Sequence, residues 1–276
     1  MNLRTLVTGL CLGCALGAPV FGNGILIPKD GSLPPLAIKH QRVDIAIKDG
    51  VAQTRVEQVF KNHTDQVLEA TYIFPVPKNA SINDFAMYIN GKRESGELVE
   101  KGKARKIYED IVRRMKDPGL LEHIDDNLFK IRVYPIAKKG EQRIEMEYSE
   151  ALPYDGGLYK LTYPLKTGEK ASSTLEDFTV SARLKSSIPI KNIYSPTHKV
   201  GISWKGDHEA IIGFEEDAYM LNKDFELYYG VSKKDFGLNL LASSASKKDG
   251  YFMMMISPTV LPKEDMVIQK DVTFVF

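Results

Sequence analysis

Apolar residues at every second position are the feature that most limits how this chain can fold. Val43, Ile45 and Ile47 alternate with polar residues, and the alternation resumes in residues 51–60 after a short polar break. Successive side chains of a strand point to opposite faces, so a period of two predicts strands with one buried face. The break contains Asp49 and Gly50, a pair typical of tight hairpin turns. We therefore expect a β-hairpin here.

Runs of the same kind recur along the chain. They cover residues 67–74, 80–89, 128–134, 143–148, 178–184, 200–204, 211–214, 225–229 and 251–256. Asn90 and Gly91 follow the second run as another tight-turn pair, and Ile144, Met146 and Tyr148 share one face of the fourth. Antiparallel strands with one face toward a core are the expected result, and the later runs suggest a sandwich-like unit.

One segment has a helical period instead. Ala104, Ile107, Tyr108, Ile111, Val112 and Met115 recur at three-and-four spacing, and Pro118-Gly119 provides a stop. We expect this amphipathic helix to pack its apolar stripe on a sheet. The opposite side is rich in Lys and Arg with Glu and Asp interspersed, so it is either a solvated face or a surface for an acidic partner.

The first 22 residues predict export. Arg4 is followed by an uncharged, mostly apolar run from Thr5 to Val20, which is typical of a secretory signal. The run is shorter than the roughly 20 apolar residues that span a membrane, so no transmembrane segment is expected in the mature chain. We expect cleavage after Gly22, making residues 1–22 the signal peptide. The expected location is periplasmic, cell-surface or secreted, in a bacterium.

Both cysteines, Cys11 and Cys14, lie inside this segment, so the mature chain is expected to contain no disulfide. A lipid-anchored Cys14 is the alternative. Loss of the signal removes Arg4 and balances the 37 basic and 36 acidic residues. That balance does not favour nucleic-acid binding.

Sequence patterns for catalysis are missing. No Gly-x-Ser-x-Gly elbow occurs, and residues 96–103 depart from the phosphate-binding loop because five residues separate the glycines and Ala104 replaces the required Ser or Thr. Two acidic clusters are interpreted as solvated turns: Asp125-Asp126 and Glu215-Glu216-Asp217. The histidines lack metal-ligand spacing and are interpreted as surface or turn residues: His40, His63, His123, His198 and His208. We therefore predict no catalytic residue, no cofactor and no metal ligand in this chain.

A series of residues in characteristic order runs through residues 35–165. It comprises Asn62, Glu69, Phe74, Pro75, Pro77, Gly91, Gly96, Glu100, Lys101, Ala104, Tyr108, Glu109, Leu121, Glu122, Asn127, Phe129, Pro135 and Tyr148. In this order and spacing the series resembles the VIT domain, the vault-protein and inter-alpha-trypsin-inhibitor module. Most members have structural reasons to be present, since Pro75 and Pro77 can end a strand and Gly91 completes a tight turn.

The resemblance implies a mainly β fold: an antiparallel β-sandwich with one packed amphipathic helix, used as a non-catalytic interaction module. We expect a second β-rich region over residues 166–262. In similar proteins a von Willebrand factor type A domain usually follows, and residues 263–276 look like a linker and the truncated first strand of that domain. Its Asp-x-Ser-x-Ser motif binds a divalent cation such as Mg²⁺, and none of those ligands occurs before Phe276.

The sequence thus indicates an exported, non-catalytic protein-interaction or adhesion-type protein, the N-terminal portion of a longer parent, with a protein partner of unknown identity. One alternative is a structural spacer that orients a missing metal-dependent binding domain. A secreted hydrolase with an unrecognised site is the other.

Overall fold

The computed structural model describes residues 23–77, 79–95, 128–165, 174–233, 236–243 and 251–258. These residues form strands and no helix. The predicted signal peptide, the predicted helix around residues 104–115, the signature residues from Gly96 to Asn127, His123 and residues 263–276 lie outside the described parts. The strands are β1 (Ile25–Pro28), β2 (Ala37–Lys48), β3 (Val51–Lys61), β4 (Leu68–Pro75), β5 (Ser81–Ile89), β6 (Lys92–Ser95), β7 (Leu128–Ile136), β8 (Glu141–Ala151), β9 (Tyr154–Asp155), β10 (Leu158–Tyr163), β11 (Thr174–Lys185), β12 (Ile190–Tyr194), β13 (Gly201–Trp204), β14 (Glu209–Met220), β15 (Phe225–Val231), β16 (Phe236–Ser243) and β17 (Tyr251–Pro258).

The two hairpins predicted from turn chemistry are confirmed. β2 and β3 pair antiparallel with Lys48 opposite Val51, and the turn residues Asp49 and Gly50 have φ angles of 48° and 82°. β5 and β6 pair in the same way across Asn90 and Gly91, whose φ angles are 51° and 78°. Both turns need positive φ at two successive residues, which Asp, Asn and Gly tolerate best.

The sheet with the most strands in the described residues has eight. Its strand order is β13-β14-β11-β2-β3-β8-β5-β6. Strands from both sides of residue 166 therefore share one sheet. The junction is the pair of β2 and β11, which run parallel with Lys48 opposite Lys185. The expectation of antiparallel pairing throughout is wrong at this point, because β11 reaches β2 by a long connection and not by a hairpin.

Two smaller sheets cover one face of the large sheet. One has the order β1-β4-β7 and the other β12-β15-β10-β9. Aromatic contacts mark the first interface: the β4 ring of Phe74 lies 6.3 Å from Tyr148 of β8. In the second, Tyr163 of β10 reaches Gln41 of β2. The described part is thus a β-sandwich whose core lies between the large sheet and the two small ones, as sheet alternation requires.

A buried polar network lies inside this core. Gln58 Nε2 donates to Asn23 Oδ1 (2.7 Å) and Gln41 Oε1 (2.8 Å), while Tyr72 OH donates to Gln58 Oε1 (2.6 Å). Gln41 Nε2 then donates to Tyr163 OH (2.8 Å). All five residues are almost fully buried. The network joins the three sheets with directional bonds, and such bonds favour one relative placement of the sheets.

The last two described strands form a separate two-stranded ribbon. β16 and β17 pair antiparallel with Leu238 opposite Ile256 and Leu240 opposite Met254. An isolated two-stranded ribbon is only marginally stable in water, so the packing of its faces determines its stability.

Candidate interaction surfaces

The solvent side of the eight-stranded sheet is the largest exposed face of regular structure in the described residues. On β2 the side chains at 42, 44, 46 and 48 are exposed while those at 43, 45 and 47 are buried. β3 and β11 show the same alternation. The five long central strands span about 20 Å across and about 35 Å along, roughly 700 Å² of projected area. That is close to the ~800 Å² per partner of a standard protein interface.

A groove of about 730 Å³ crosses this face at the end of the sheet where β2 turns into β3. It is lined by Ala46, Ile47, Lys48, Asp49, Val51, Gln53, Ser149, Arg183 and Lys185. Val51, one of these lining residues, is 51% exposed. The groove therefore combines apolar side chains with three cationic ones, contributed by four neighbouring strands.

Carboxylates of the chain compensate part of the positive charge of the groove. Glu209 on β14 binds Arg183 Nη2 at 2.6 Å and lies 3.6 Å from Lys185 Nζ. Asp49 Oδ1 accepts the backbone N–H of Ser187 at 2.6 Å, and this bond lowers the pKa of the Asp49 carboxyl below its ordinary value. Both carboxylates thus have hydrogen-bond or ion-pair partners other than Lys48, although the charge of Lys48 also contributes to the lowered pKa of Asp49.

A second polar cluster lies farther along the same face. Glu145 accepts hydrogen bonds from Tyr88 OH (2.8 Å), Arg143 (2.6 Å) and Arg55 (2.8 Å), and its side chain is only 4% exposed. Burial opposes ionisation of Glu145, but these donors outweigh it and hold the pKa of Glu145 below its ordinary value. Arg93 adds an ion pair to Asp84.

The positive and negative charges of this second cluster neutralise one another. A pocket of about 170 Å³ lies beside it, lined by Arg55, Asp84, Arg93, Glu145, Met146 and Glu147. Arg143 also pairs with Glu57 at 2.5 Å and lies over the Tyr88 ring at 4.4 Å. Since each of the three arginines already has a carboxylate partner, the cluster stabilises the outer face and leaves little unpaired charge for a ligand.

The exposed face of the ribbon is apolar. Phe252 is 72% exposed, Ile256 62%, Leu238 55% and Met254 51%. These four side chains lie on one side of the β16–β17 pair. Contiguous exposed apolar side chains are uncommon on soluble proteins and indicate a contact surface.

The described signature residues occupy structural positions. Asn62 is fully buried, and its Nδ2 donates to the carbonyls of Gln66 and Ala137 at 2.9 Å each. Its Oδ1 accepts from Thr64 N and Oγ1, so the side chain clamps two loops together. Glu69 pairs with Arg132 at 2.6 Å and with Lys29 at 3.4 Å.

The other described signature residues lie in strands or turns of the sandwich. Phe74, Phe129 and Tyr148 belong to the core, Pro75 ends β4, and Gly91 completes the β5–β6 turn. Pro135 lies in β7, and the carbonyl of Pro77 accepts the N–H of Ala80 at 2.9 Å. The described members of the series thus hold the scaffold and do not converge on one site.

His198 lies in the segment between β12 and β13, as the interpretation of the histidines as surface or turn residues allowed, but it is buried and not at the surface. It is 5% exposed, and its Nε2 lies 2.6 Å from Tyr219 OH and its Nδ1 2.8 Å from Thr197 Oγ1. Phe214 packs edge-on against its ring at 4.7 Å. Burial, with a smaller effect of Lys223, lowers the pKa of His198 to about 4. A neutral histidine with both ring nitrogens engaged is part of the core.

Two acidic features also differ from the sequence interpretation. Glu215, Glu216 and Asp217 are exposed as expected, but they lie in strand β14 and not in a turn. Glu150 is 7% exposed on the core side of β8 and escaped sequence reasoning. Burial raises its pKa to about 7. Glu150 lies two residues after Tyr148, so strand alternation places both side chains on the same, buried side of β8. This pattern could have identified Glu150 from the sequence.

Within the residues that the structure describes, no three His, Cys, Asp or Glu side chains gather in an arrangement suited to a metal ion. A search of the same residues for a helix long and apolar enough to cross a membrane finds none.

Comparisons with known proteins agree with the fold. A family model of the vault protein inter-alpha-trypsin domain matches residues 38–148. Inter alpha-trypsin inhibitor, heavy chain 4 of Mus musculus is 25% identical over 253 residues, 84% of this chain and 25% of that protein. Protein mono-ADP-ribosyltransferase PARP4 of Homo sapiens is 26% identical over 222 residues, 73% of this chain and 13% of that protein. The chain therefore spans a quarter or less of the length of these two relatives.

A crystal structure from Legionella pneumophila, of a protein provisionally described as nutrient-binding, superposes with a TM-score of 0.52. The match has 16% sequence identity and covers 75% of this chain and 71% of that one, so it shows a shared fold alone. The signature residues, the sandwich and the family match agree in position. Residues 38–148 of this chain thus match the vault protein inter-alpha-trypsin domain.

Proposed function

We propose that this protein is an exported, non-catalytic interaction protein that binds another protein through the solvent side of its eight-stranded sheet. The observation that carries the proposal is the groove on that face, about 730 Å³ in volume and lined by both apolar and charged side chains. Protein interfaces characteristically combine an apolar centre with a polar rim. The similarity to inter-alpha-trypsin inhibitor heavy chains supports a protein-interaction role.

Export is supported by the signal-like first 22 residues and by the absence of cysteine after Cys14. A chain that leaves the cytoplasm without disulfides needs stability from its own core. The continuous cluster of buried side chains shared by the three sheets supplies it. In this proposal the protein acts outside the cytoplasm, in adhesion-type contacts with its partner.

The test is capture of a partner from a cell-surface or extracellular extract with the immobilised full chain. Ala46 lines the groove and is exposed on the solvent side of β2, so Ala46→Trp should obstruct the groove and abolish capture. Met220→Trp is the control, because Met220 is 61% exposed at the end of β14 and does not line the groove. Capture of the same protein by wild type, Ala46→Trp and Met220→Trp alike would remove the groove from the interface.

The apolar face of the ribbon favours a second function, that of a spacer which orients another domain of a longer parent protein. Phe252 and Ile256 are the most exposed of its side chains. This alternative predicts that the present chain captures nothing, whereas a longer parent binds in a divalent-cation-dependent way. Phe252→Ser in that parent should then loosen the second domain, measured as increased protease sensitivity between the domains.

A further inference from the structure

The groove brings two lysines together that are far apart in the sequence. Lys48 on β2 and Lys185 on β11 are Cα partners in the parallel pair that joins the two parts of the large sheet. Both are exposed on its solvent side, and both line the groove. Like charges directly opposite each other on adjacent strands destabilise a sheet. The two ammonium groups therefore repel each other, and an anion placed between them would reduce this repulsion.

Carboxylates of the chain itself do not fully compensate these charges. Glu209 is shared between Arg183 and Lys185, and the longer of its contacts, 3.6 Å, is the one to Lys185. The Asp49 carboxylate is held by the N–H of Ser187. Counted together, three cations and two carboxylates leave an excess of one positive charge at the groove.

The contrast with the Glu145 cluster shows that this excess is specific to the groove. In that cluster Arg55, Arg93 and Arg143 each have a carboxylate within 2.8 Å or closer. Both sites lie on the same sheet face, yet of the two only the groove combines an excess of one cation with an open volume of several hundred Å³ and an exposed apolar side chain at Val51.

We propose that the groove binds an extended, acidic segment of the protein partner, with a carboxylate side chain between Lys48 and Lys185. The inference rests on the proposed function and specifies its partner. The four strands that contribute lining residues span about 14 Å, which is the length of roughly four residues of extended chain. In such a segment side chains at every second position point to the same side, so one acidic side chain can reach the lysines while an apolar side chain two residues away contacts Val51.

The test measures binding of a fluorescent peptide to the full chain by anisotropy. The probe is a blocked five-residue peptide with Glu at its second position, Val at its fourth and Gly elsewhere, and its analogue carries Gln in place of Glu. Lys48→Glu/Lys185→Glu reverses the charges in the groove. Lys92→Glu/Lys199→Glu makes the same change in net charge at exposed lysines that do not line it.

We expect saturable binding of the acidic peptide that weakens with added salt, and about tenfold weaker binding of the Gln analogue. The groove variant should lose about tenfold in affinity while the control variant keeps wild-type affinity within about twofold. Equal binding of the two peptides, no saturable binding of either, or equal losses in the two variants would overturn the assignment.

Partner capture separates this inference from the proposed function. If Ala46→Trp abolishes capture but Lys48→Glu/Lys185→Glu does not, the groove is the interface and its acidic specificity is wrong. If Ala46→Trp has no effect on capture, the groove is not part of the interface, and the observation that carries the proposed function fails whatever the peptide does.

Discussion

Glu150 offers a quantitative test of the core described above. Its side chain points into the sandwich from β8, and among the described residues its Oε1 atom has no hydrogen-bond partner. Burial raises the pKa of this carboxyl from its ordinary value of 4.5 to about 7. A charge in this position is therefore unfavourable, and the folded protein holds the proton to a higher pH than the unfolded chain does.

The sign of the effect on stability follows from proton linkage. Below pH 4.5 the group is protonated in both states and costs nothing. As the pH rises from 4.5 to 7, the unfolded chain releases the proton first, so the free energy of unfolding decreases with pH. The full loss above pH 7 is about 3 kcal/mol, from about 1.4 kcal/mol for each unit by which the pKa differs.

Glu150→Gln keeps the size of the side chain and removes the titration. We expect the variant to match the wild type at pH 4 and to be more stable by about 3 kcal/mol at pH 8. Urea unfolding measured at several pH values gives both curves, and taking their difference cancels the other titrating groups that both proteins share. If the difference in the free energy of unfolding between Glu150→Gln and the wild type stayed constant between pH 4 and pH 8, Glu150 would not be a buried carboxyl without a hydrogen-bond partner.

Glu145 on the same strand is an internal contrast. Its pKa is held below the ordinary value by Tyr88, Arg143 and Arg55 against the effect of burial. Its stabilising contribution is therefore present at neutral pH and is lost as the pH falls through its lowered pKa. Glu145→Gln should destabilise the protein by roughly 2 kcal/mol at pH 7 and by less at pH 3. Above pH 7 Glu150→Gln should thus stabilise the protein, whereas Glu145→Gln should destabilise it.

Three further predictions concern the scaffold. Asn62→Ala removes a side chain that makes four hydrogen bonds between two loops, and should cost about 2–3 kcal/mol in urea unfolding, whereas Asn79→Ala at an exposed turn should cost little. Gly24→Ala places a Cβ 2.5 Å from both Gln58 Oε1 and Tyr72 OH, and should lower the melting temperature by displacing the buried network, at a cost of about 2 kcal/mol. His198 is neutral in the core, so its stabilising contribution is present above pH 6.5 and is lost as the pH falls toward 4; His198→Gln should remove up to about 3 kcal/mol of acid sensitivity from the unfolding curves.

The hairpins were predictable because their causes are local. Alternation specifies which face of β2 and β3 is buried, and Asp49 and Gly50 supply the positive φ angles that a short turn needs. The same applies to β5 and β6. The VIT resemblance added the identity of the scaffold, which no single hairpin could give.

The groove was not predictable in this way. It depends on the parallel pairing of β2 with β11, which brings Lys48 next to Lys185 across a long connection. Nothing in either strand specifies its neighbour, because an alternating strand can pair with any other strand of suitable length. Long-range pairing is decided by the packing of the whole sandwich.

Polar residues in the core were missed although a signal was present. Gln41 has the same parity as Val43, Ile45 and Ile47, so alternation places its side chain inward. Gln58 likewise continues the buried face of β3. A polar residue in the buried phase of a strand predicts a hydrogen-bonded network, because an unpaired buried amide is costly. His198 gave no such signal, since it lies between strands in a polar segment.

The most direct test of the central claim is site-specific photo-crosslinking in the extract that contains the partner. A photoreactive phenylalanine analogue in place of Val51 reports on contacts made at the groove. The same analogue in place of Tyr194 is the control, because Tyr194 is 41% exposed on β12 of a different sheet. The proposed interface predicts a single crosslinked partner from position 51 and none from position 194. Crosslinking from position 194 with none from position 51 would contradict a protein-binding role for the solvent side of the large sheet.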